Sequence, residues 1–108
     1  ILVKEGAQKT DGYQISQSLL LDEDAQFLAK PELEIYADDV ACSHGSTSGA
    51  IDEEALFYLR SRGVERGNAQ DLLVLAFLAE AIDEIDSEEI ADDILGRLEG
   101  WLSRHRSV

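Results

Sequence analysis

Cysteine and positive charge are both scarce in this sequence, and each scarcity excludes a class of function. The only cysteine, Cys42, cannot form a disulfide within the chain, so nothing in the sequence indicates an oxidising compartment. Nine Lys and Arg residues stand against 23 Asp and Glu residues, which gives a formal net charge of −14 at pH 7. Because phosphate groups and anionic lipids are bound through positive charge, we expect neither nucleic acid nor a membrane surface as a partner.

Long hydrophobic runs are also missing. The longest uninterrupted apolar run covers residues 72–79 (LLVLAFLA), whereas a helix needs about 20 mostly apolar residues to cross a bilayer. Together with the lone cysteine, this short run predicts a cytoplasmic protein.

The first half of the chain, residues 1–50, has the pattern of short β-strands. Apolar residues recur in segments such as LLLD, QFLA, LEIYA and DVACSH, and polar or proline-containing corners separate them. No Asn-Gly or Asp-Gly turn joins two matched strands, as it would in a hairpin meander. Short strands joined by corners favour a β-solenoid. The segment STSG at residues 46–49 is expected to be the linker into the second half and not a phosphate loop, since no lysine follows it.

The second half, residues 51–108, has helical periodicity and predicts three helices. Asp52 is placed to cap the first helix at its N-terminus, and Gly63 is placed to end it. A second helix is expected to open at Asn68 and, because its middle is almost wholly apolar, to be covered on nearly every side. Asp86 and Glu89 have the spacing of a capping box and predict the start of the third helix.

Both halves are small for the amount of apolar surface that they carry. Domains below about 40 residues usually need a metal, a disulfide or a partner to be stable, and neither half is far above that size. A solenoid strand also needs neighbouring strands to bury its faces. We therefore expect this chain to be the C-terminal part of a longer protein. We also expect the isolated fragment to self-associate or to have a disordered N-terminal stretch.

Three motifs, KPELEIYADDV, CSHG and DEEALFYLRSRG, lie within residues 13–63. This segment resembles the C-terminal part of the SufB/SufD family, the scaffold subunits of the Suf iron–sulfur cluster assembly system. Gly45, which follows His44, resembles the SufD branch, since SufB members tend to have glutamate there. The resemblance implies a mixed β and α fold, in which the C-terminal rungs of a right-handed parallel β-helix (residues 1–50) are followed by a small three-helix domain (residues 51–108).

The same resemblance implies a scaffold of SufD type, and not an enzyme. Its implied partners are SufB, which pairs through the ends of the β-helices, and the ATPase SufC, which docks on the helical domain. The counterpart of His44 in SufD is held to lie at the SufB interface, where the nascent Fe–S cluster is thought to assemble. An Fe–S cluster or iron is therefore expected at that interface in the complex, and none is expected to be bound by the isolated fragment.

Cys42 and His44 are the candidate cluster or metal ligands. Two residues apart on a strand, they share one face, and thiolate and imidazole both suit iron and zinc. A complete site needs about four ligands, so this pair cannot hold a cluster alone. Two other interpretations stay open. In the first, Cys42 is a small buried hydrophobic residue beside an ordinary histidine. In the second, the chain is an acidic β-helix interaction module or metal-binding enzyme fragment that uses both side chains as ligands.

The segment FYLRSRG on the first helix is the candidate surface for contact with SufC. Its partner-binding residues are Phe57, Tyr58, Arg60 and Arg62. The alternative is that the arginines of this region form ion pairs within the chain, which are common on surfaces and weakly diagnostic of function. Those pairs would join Arg60, Arg62 and Arg66 to Glu53, Glu54 and Glu65.

Overall fold

The computed structural model describes residues 1–105, and the last three residues of the predicted 51–108 domain lie outside the described residues. Within this range four strands come first: β1 (Leu2–Val3), β2 (Asp11–Leu20), β3 (Glu34–Ile35) and β4 (Ala41–Ala50). Three helices follow: α1 (Glu53–Ser61), α2 (Arg66–Ile82) and α3 (Glu88–His105). The chain separates between residues 49 and 50 into two compact units, here called the strand unit and the helical unit.

The strand unit contains two two-stranded sheets, β1 with β3 and β2 with β4. The strands β1 and β3 are parallel, with Leu2 opposite Glu34 and Val3 opposite Ile35. The Glu34 N–H donates to the carbonyl of Ile1 at 2.8 Å, which extends the pairing by one residue. Parallel strands need a long crossover connection, which is why no hairpin turn joins these two.

Hydrogen bonds outside β1 and β3 join residues at nearly the spacing of that pairing, in which Leu2 and Glu34 are 32 positions apart. The Ile1 backbone nitrogen donates to the carbonyl of Glu32 at 2.6 Å, and the Asp39 N–H donates to Oε1 of Gln8 at 2.9 Å. In both cases the two residues are 31 positions apart. The first residues of the chain therefore run alongside residues 32–39 in the same direction. Two small sheets do not amount to a right-handed β-helix, so that part of the fold stays a prediction.

Two predictions for the strand unit are wrong. The segment QFLA at residues 26–29 forms no strand, and STSG at residues 46–49 is not a linker, because it belongs to β4. The physical reason is that β2 provides hydrogen-bonding partners along β4, and pairing of this kind overrides the low strand propensity of glycine. A pattern of apolar residues cannot locate a strand whose side chains are mostly small and polar.

The strand unit buries little apolar surface. Among its described residues only Val3 and Ala37 are buried apolar residues. Many larger apolar side chains are exposed instead: Leu2, Tyr13, Ile15, Leu21, Leu28, Leu33, Ile35 and Tyr36. Exposed apolar surface of this extent is typical of a face that another protein surface covers. The prediction that the isolated fragment self-associates depends on these side chains.

Both ends of α1 follow the sequence prediction. The side chain of Asp52 accepts hydrogen bonds from the N–H groups of Glu54 (2.9 Å) and Ala55 (3.2 Å), which confirms it as the N-cap. Gly63 has a φ of +90°, a left-handed conformation that favours glycine, and its N–H donates to the carbonyl of Arg60 at 3.0 Å. Each end depends only on residues a few positions apart, so the local sequence is enough to predict it.

Helix α2 begins at Arg66, earlier than the predicted start at Asn68. Its N-cap, Glu65, makes no side-chain capping bond, so the sequence carries no capping signal at the true start. The first turn is instead held by a hydrogen bond from the Ala69 N–H to the Glu65 carbonyl at 2.9 Å and by the complete burial of Ala69. Packing therefore decides where α2 starts.

Helix α3 begins at Glu88, and the residue that caps it is Ser87. The Ser87 hydroxyl oxygen accepts a hydrogen bond from the N–H of Ile90 at 3.3 Å. The predicted capping box of Asp86 and Glu89 is therefore wrong by one position, because serine is an equally good N-cap and lies next to the predicted one.

In the helical unit, α2 packs against both α1 and α3. The buried core is small and consists of Leu56, Ala69 and Leu102. The expectation that α2 is covered on nearly every side is wrong, since Leu72 is half exposed. Two neighbouring helices cover only part of the surface of a third, so apolar residues on its open side remain in contact with solvent.

The cap of α1 leads to a first prediction. Replacing Asp52 by alanine should lower the free energy of unfolding by about 1 kcal/mol, because two backbone N–H groups lose their acceptor. Asp86→Ala is the matched control, since it removes the same charge near the start of α3 and the Asp86 side chain makes no hydrogen bond within residues 1–105. Urea unfolding of the two variants measures the difference, and equal losses of stability would contradict the capping role.

Candidate functional site

Cys42 and His44 lie on one uninterrupted strand, β4. Because successive side chains of a strand point to opposite faces, these two share a face, as the sequence predicts for a regular strand. Their surroundings differ: Cys42 is half buried, whereas His44 is exposed. The two candidate ligands therefore lie close together along the strand but are unequally accessible to a binding partner.

The Cys42 thiol packs against the neighbouring strand at Gly12. A side-chain carbon placed on Gly12 would lie 3.7 Å from Cys42 Sγ, which is ordinary van der Waals contact. The sulfur thus occupies the space above bare backbone on β2. This position agrees with the interpretation of Cys42 as a small, partly buried residue of the sheet.

The His44 imidazole makes no hydrogen bond, ion pair or ring contact within residues 1–105. Both ring nitrogens are therefore free to bind a group from outside this part of the chain. The other histidine differs: His105 is stacked on Trp101 with the ring centroids 4.7 Å apart, and its Nδ1 is 2.9 Å from the Trp101 carbonyl oxygen. Of the two imidazoles, that of His44 is the one whose two ring nitrogens both have no hydrogen-bond partner within residues 1–105.

Tyr13 on β2 lies next to Gly45, and the sequence motifs did not identify it as part of this region. A side-chain carbon on Gly45 would lie 2.8 Å from the Tyr13 hydroxyl oxygen, closer than such carbons approach any atom in practice. The tyrosine therefore fills the space that a side chain at position 45 would need. No sequence signal could have found this pair, because the contact depends on the register between β2 and β4.

The described residues bring no further set of potential metal ligands together. Within residues 1–105, no three or more His, Cys, Asp and Glu side chains come together as a group that could hold a metal ion. One thiol and one imidazole can contribute to a shared site. Iron–sulfur clusters are typically held by about four protein ligands, so the remaining ligands of such a site must come from another chain or another segment.

A second candidate surface lies on α1. Phe57 is 75% exposed and Tyr58 is also exposed. The guanidinium of Arg62 lies over the Tyr58 ring, 4.2 Å from its centroid, which is a cation–π contact. Arg60 and Arg66 line an open groove of about 370 Å³ beside Phe57. We call these five residues the α1 surface.

The arginines of the α1 surface are not engaged in the ion pairs that the alternative interpretation predicts. The ion pairs within residues 1–105 are Lys30–Glu32 at 3.9 Å and Arg97–Asp93 at 3.0 Å. That alternative is therefore wrong for the part of the chain that the structure describes. Glu53 and Glu54 lie in the first turn of α1, at the positive end of the helix dipole, where negative charge is stabilised without an ion-pair partner.

Comparison with family models matches residues 1–77 to the family described as SUF system FeS cluster assembly, SufBD core domain. The chain belongs to the SufBD family. The match covers the whole strand unit together with α1 and most of α2, and thus includes both candidate surfaces. The resemblance to the SufB/SufD family that the sequence motifs predict is confirmed.

Curated relatives within the SufBD family include proteins named SufD. The chain is 46% identical to the iron–sulfur cluster assembly protein SufD of Escherichia coli over 98 residues, which is 91% of this chain and 23% of that protein. It is 34% identical to SufD of Bacillus subtilis over 97 residues, 90% of this chain and 22% of the relative. It is 37% identical to the protein ABCI7, chloroplastic, of Arabidopsis thaliana over 102 residues, 94% of this chain and 22% of the relative. The chain thus spans about a quarter of the length of these relatives.

No helix within residues 1–105 is long and apolar enough to cross a membrane.

Proposed function

We propose that this chain is the C-terminal segment of a SufD-type scaffold subunit that acts in iron–sulfur cluster assembly with a SufB-like subunit and a SufC-like ATPase. The observation that carries the proposal is the 46% identity to a protein named SufD over 91% of the chain. Gly45 after His44 supports the SufD branch over the SufB branch. The proposed role is that of a scaffold which binds and positions its partners and its cargo, and the proposed compartment is the cytoplasm.

The proposed fold of the strand unit is the end of a right-handed parallel β-helix. Parallel pairing of β1 with β3 at 32 positions and hydrogen bonds between residues 31 positions apart support it, since successive rungs of a solenoid stack in parallel at similar spacings along the chain. The exposed apolar side chains of this unit are the surfaces that adjacent rungs or a second subunit would cover.

The proposed role of His44 is to supply one ligand or polar contact to a cluster that a SufB-like partner holds mainly through its cysteines. Here the cluster is the cargo of the complex. Neutral imidazole is a suitable ligand for iron, and the ring of His44 is exposed and makes no hydrogen bond within residues 1–105. Cys42 shares the face of His44 but is half buried against Gly12, which supports an auxiliary role at most.

The proposed docking site for the ATPase is the α1 surface. Exposed aromatic rings and arginines are the residue types that contribute most to protein interfaces, and this surface combines both. The cation–π contact between Arg62 and Tyr58 also holds the guanidinium in place before a partner arrives, so that little side-chain entropy is lost on binding.

A charge reversal on the α1 surface tests the docking proposal. Arg62→Glu should weaken binding of the SufC-like ATPase by about tenfold, because the substitution removes both the positive charge and the cation–π contact. It should leave the thermal unfolding of the protein nearly unchanged, since the residue is exposed.

The matched control is Arg97→Glu, which reverses the same charge on α3 and breaks an exposed ion pair with Asp93. Titration of the ATPase with each variant should show weakened binding for Arg62→Glu only. Unchanged affinity in the Arg62 variant would remove this residue from the interface.

Co-expression tests the assignment as a whole. The complete protein should co-purify with a SufB-like subunit and a SufC-like ATPase as one complex on size exclusion. If it purifies alone and binds stoichiometric metal by itself, the SufD-type assignment is wrong and the metal-binding interpretation of Cys42 and His44 takes its place.

A further inference from the structure

The end of the Tyr13 side chain on β2 reaches Gly45 on β4, in the second sheet of the strand unit. A side-chain carbon at position 45 would meet the Tyr13 hydroxyl oxygen at 2.8 Å and the ring carbon Cζ at 3.8 Å. Because faces alternate along β4, Gly45 belongs to the face opposite to that of His44. Tyr13 therefore supports β4 from behind, at the residue that follows the candidate ligand.

Gly45, the residue that the Tyr13 side chain reaches, differs in exposure from its neighbours on β4. Gly45 is half buried, whereas its neighbours His44 and Ser46 and all later residues of the strand are exposed. Glycine within a strand weakens it, because it has no side chain to pack and leaves the backbone open to water. The end of an aromatic side chain from the adjacent strand, the hydroxyl and Cζ of Tyr13, lies over this glycine and shields part of its backbone.

We propose that Tyr13 is a positioning residue for His44, and that glycine at position 45 lets the Tyr13 side chain keep its place, because the Tyr13 hydroxyl lies where a side chain would be. The proposal rests on the proposed function of His44 as a contact to the partner or its cluster. The ring of Tyr13 holds the His44–Gly45 backbone against β2, and thereby keeps the imidazole presented on the other face.

This arrangement predicts that one substitution on β2 rescues the effect of another on β4. In Gly45→Ala the new methyl group collides with the hydroxyl, and Tyr13, which is 63% exposed, is free to swing away. The variant should then behave like Tyr13→Ala, in which the covering ring is lost. In Tyr13→Phe the ring stays but the hydroxyl is gone, so the nearest remaining ring atom is at 3.8 Å and an alanine at position 45 fits. Tyr13→Phe should therefore rescue Gly45→Ala.

The experiment uses the complete protein co-expressed with its SufB-like and SufC-like partners, and it measures cluster content, affinity for the SufB-like subunit and thermal unfolding. Gly45→Ala and Tyr13→Ala should each lower cluster content or affinity about threefold, the effect of losing a cross-strand aromatic contact, with assembly of the complex retained. The double variant Tyr13→Phe/Gly45→Ala should recover most of the loss.

Two controls match the substitutions. Gly49→Ala adds the same methyl group on β4, where nothing lies within 4 Å, and Tyr36→Phe removes a hydroxyl from another exposed tyrosine. Both should match the wild type.

The outcomes separate this inference from the proposed function. If His44→Ala lowers cluster content but Gly45→Ala is indistinguishable from Gly49→Ala, the positioning role of Tyr13 is wrong and the role of His44 stands. The positioning role is also wrong if Tyr13→Phe fails to rescue Gly45→Ala. If His44→Ala itself matches the wild type, the proposed function of His44 falls, whatever the other variants do.

Discussion

His44→Ala is expected to lower the cluster content of the assembled complex severely while the complex still forms. The imidazole is exposed and makes no hydrogen bond, ion pair or ring contact within residues 1–105, so its removal should cost the fold little. If it binds iron or a cluster atom at the partner interface, its loss removes the exposed ligand of β4 and leaves only the half-buried Cys42 thiol on that face. Absorbance together with iron and sulfide analysis of the purified complex measures the effect.

Two control variants test whether the effect on cluster content is specific to the His44 imidazole. Cys42→Ser should reduce cluster content less than His44→Ala or not at all, because the thiol is half buried against Gly12. His105→Ala removes the other histidine, which stacks on Trp101 in the helical unit, and should leave cluster content unchanged. Wild-type cluster content in the His44→Ala complex would refute the proposed site.

Leu56→Asp is expected to unfold the helical unit, and the adjacent Phe57→Asp is expected to leave it folded. Leu56 is only 3% exposed and belongs to the small core, whereas Phe57 is 75% exposed on the same helix. A carboxylate buried without a partner costs several kcal/mol, which is comparable with the whole stability of a small domain. Circular dichroism on heating should show lost helix for the first variant and a normal transition for the second.

The same pair of variants separates folding from docking at the α1 surface. Both should abolish or strongly weaken binding of the SufC-like ATPase, Leu56→Asp through unfolding and Phe57→Asp through loss of an exposed aromatic contact. Full ATPase binding by a folded Phe57→Asp variant would exclude Phe57 from the interface. The apolar run 72–79 suggests Leu75 and Phe77 as alternative sites for an Asp substitution that unfolds the helical unit. Both are only half buried, so their replacement would separate folding from docking less clearly than Leu56→Asp.

The sequence by itself determines the features that depend on neighbouring residues. The cap at Asp52 and the stop at Gly63 each depend on hydrogen bonds that span three residues or fewer, so the residue types at those positions suffice to predict them. The family can also be recognised from the sequence alone, because each of its motifs, such as KPELEIYADDV and CSHG, is an unbroken run of residues. The exposure of the Phe57 ring, in contrast, is a property of how α1 packs.

Only the tertiary structure decides the features that depend on distant residues. The strand β4 continues through residues 46–49 because β2 lies beside it, and α2 starts at Arg66 because Ala69 is buried against its neighbours. The freedom of His44, the partial burial of Cys42 and the fit of Tyr13 on Gly45 likewise depend on the register of two strands about 30 residues apart in sequence. A local pattern contains no information on that register, since it is set by contacts that form only when the chain folds.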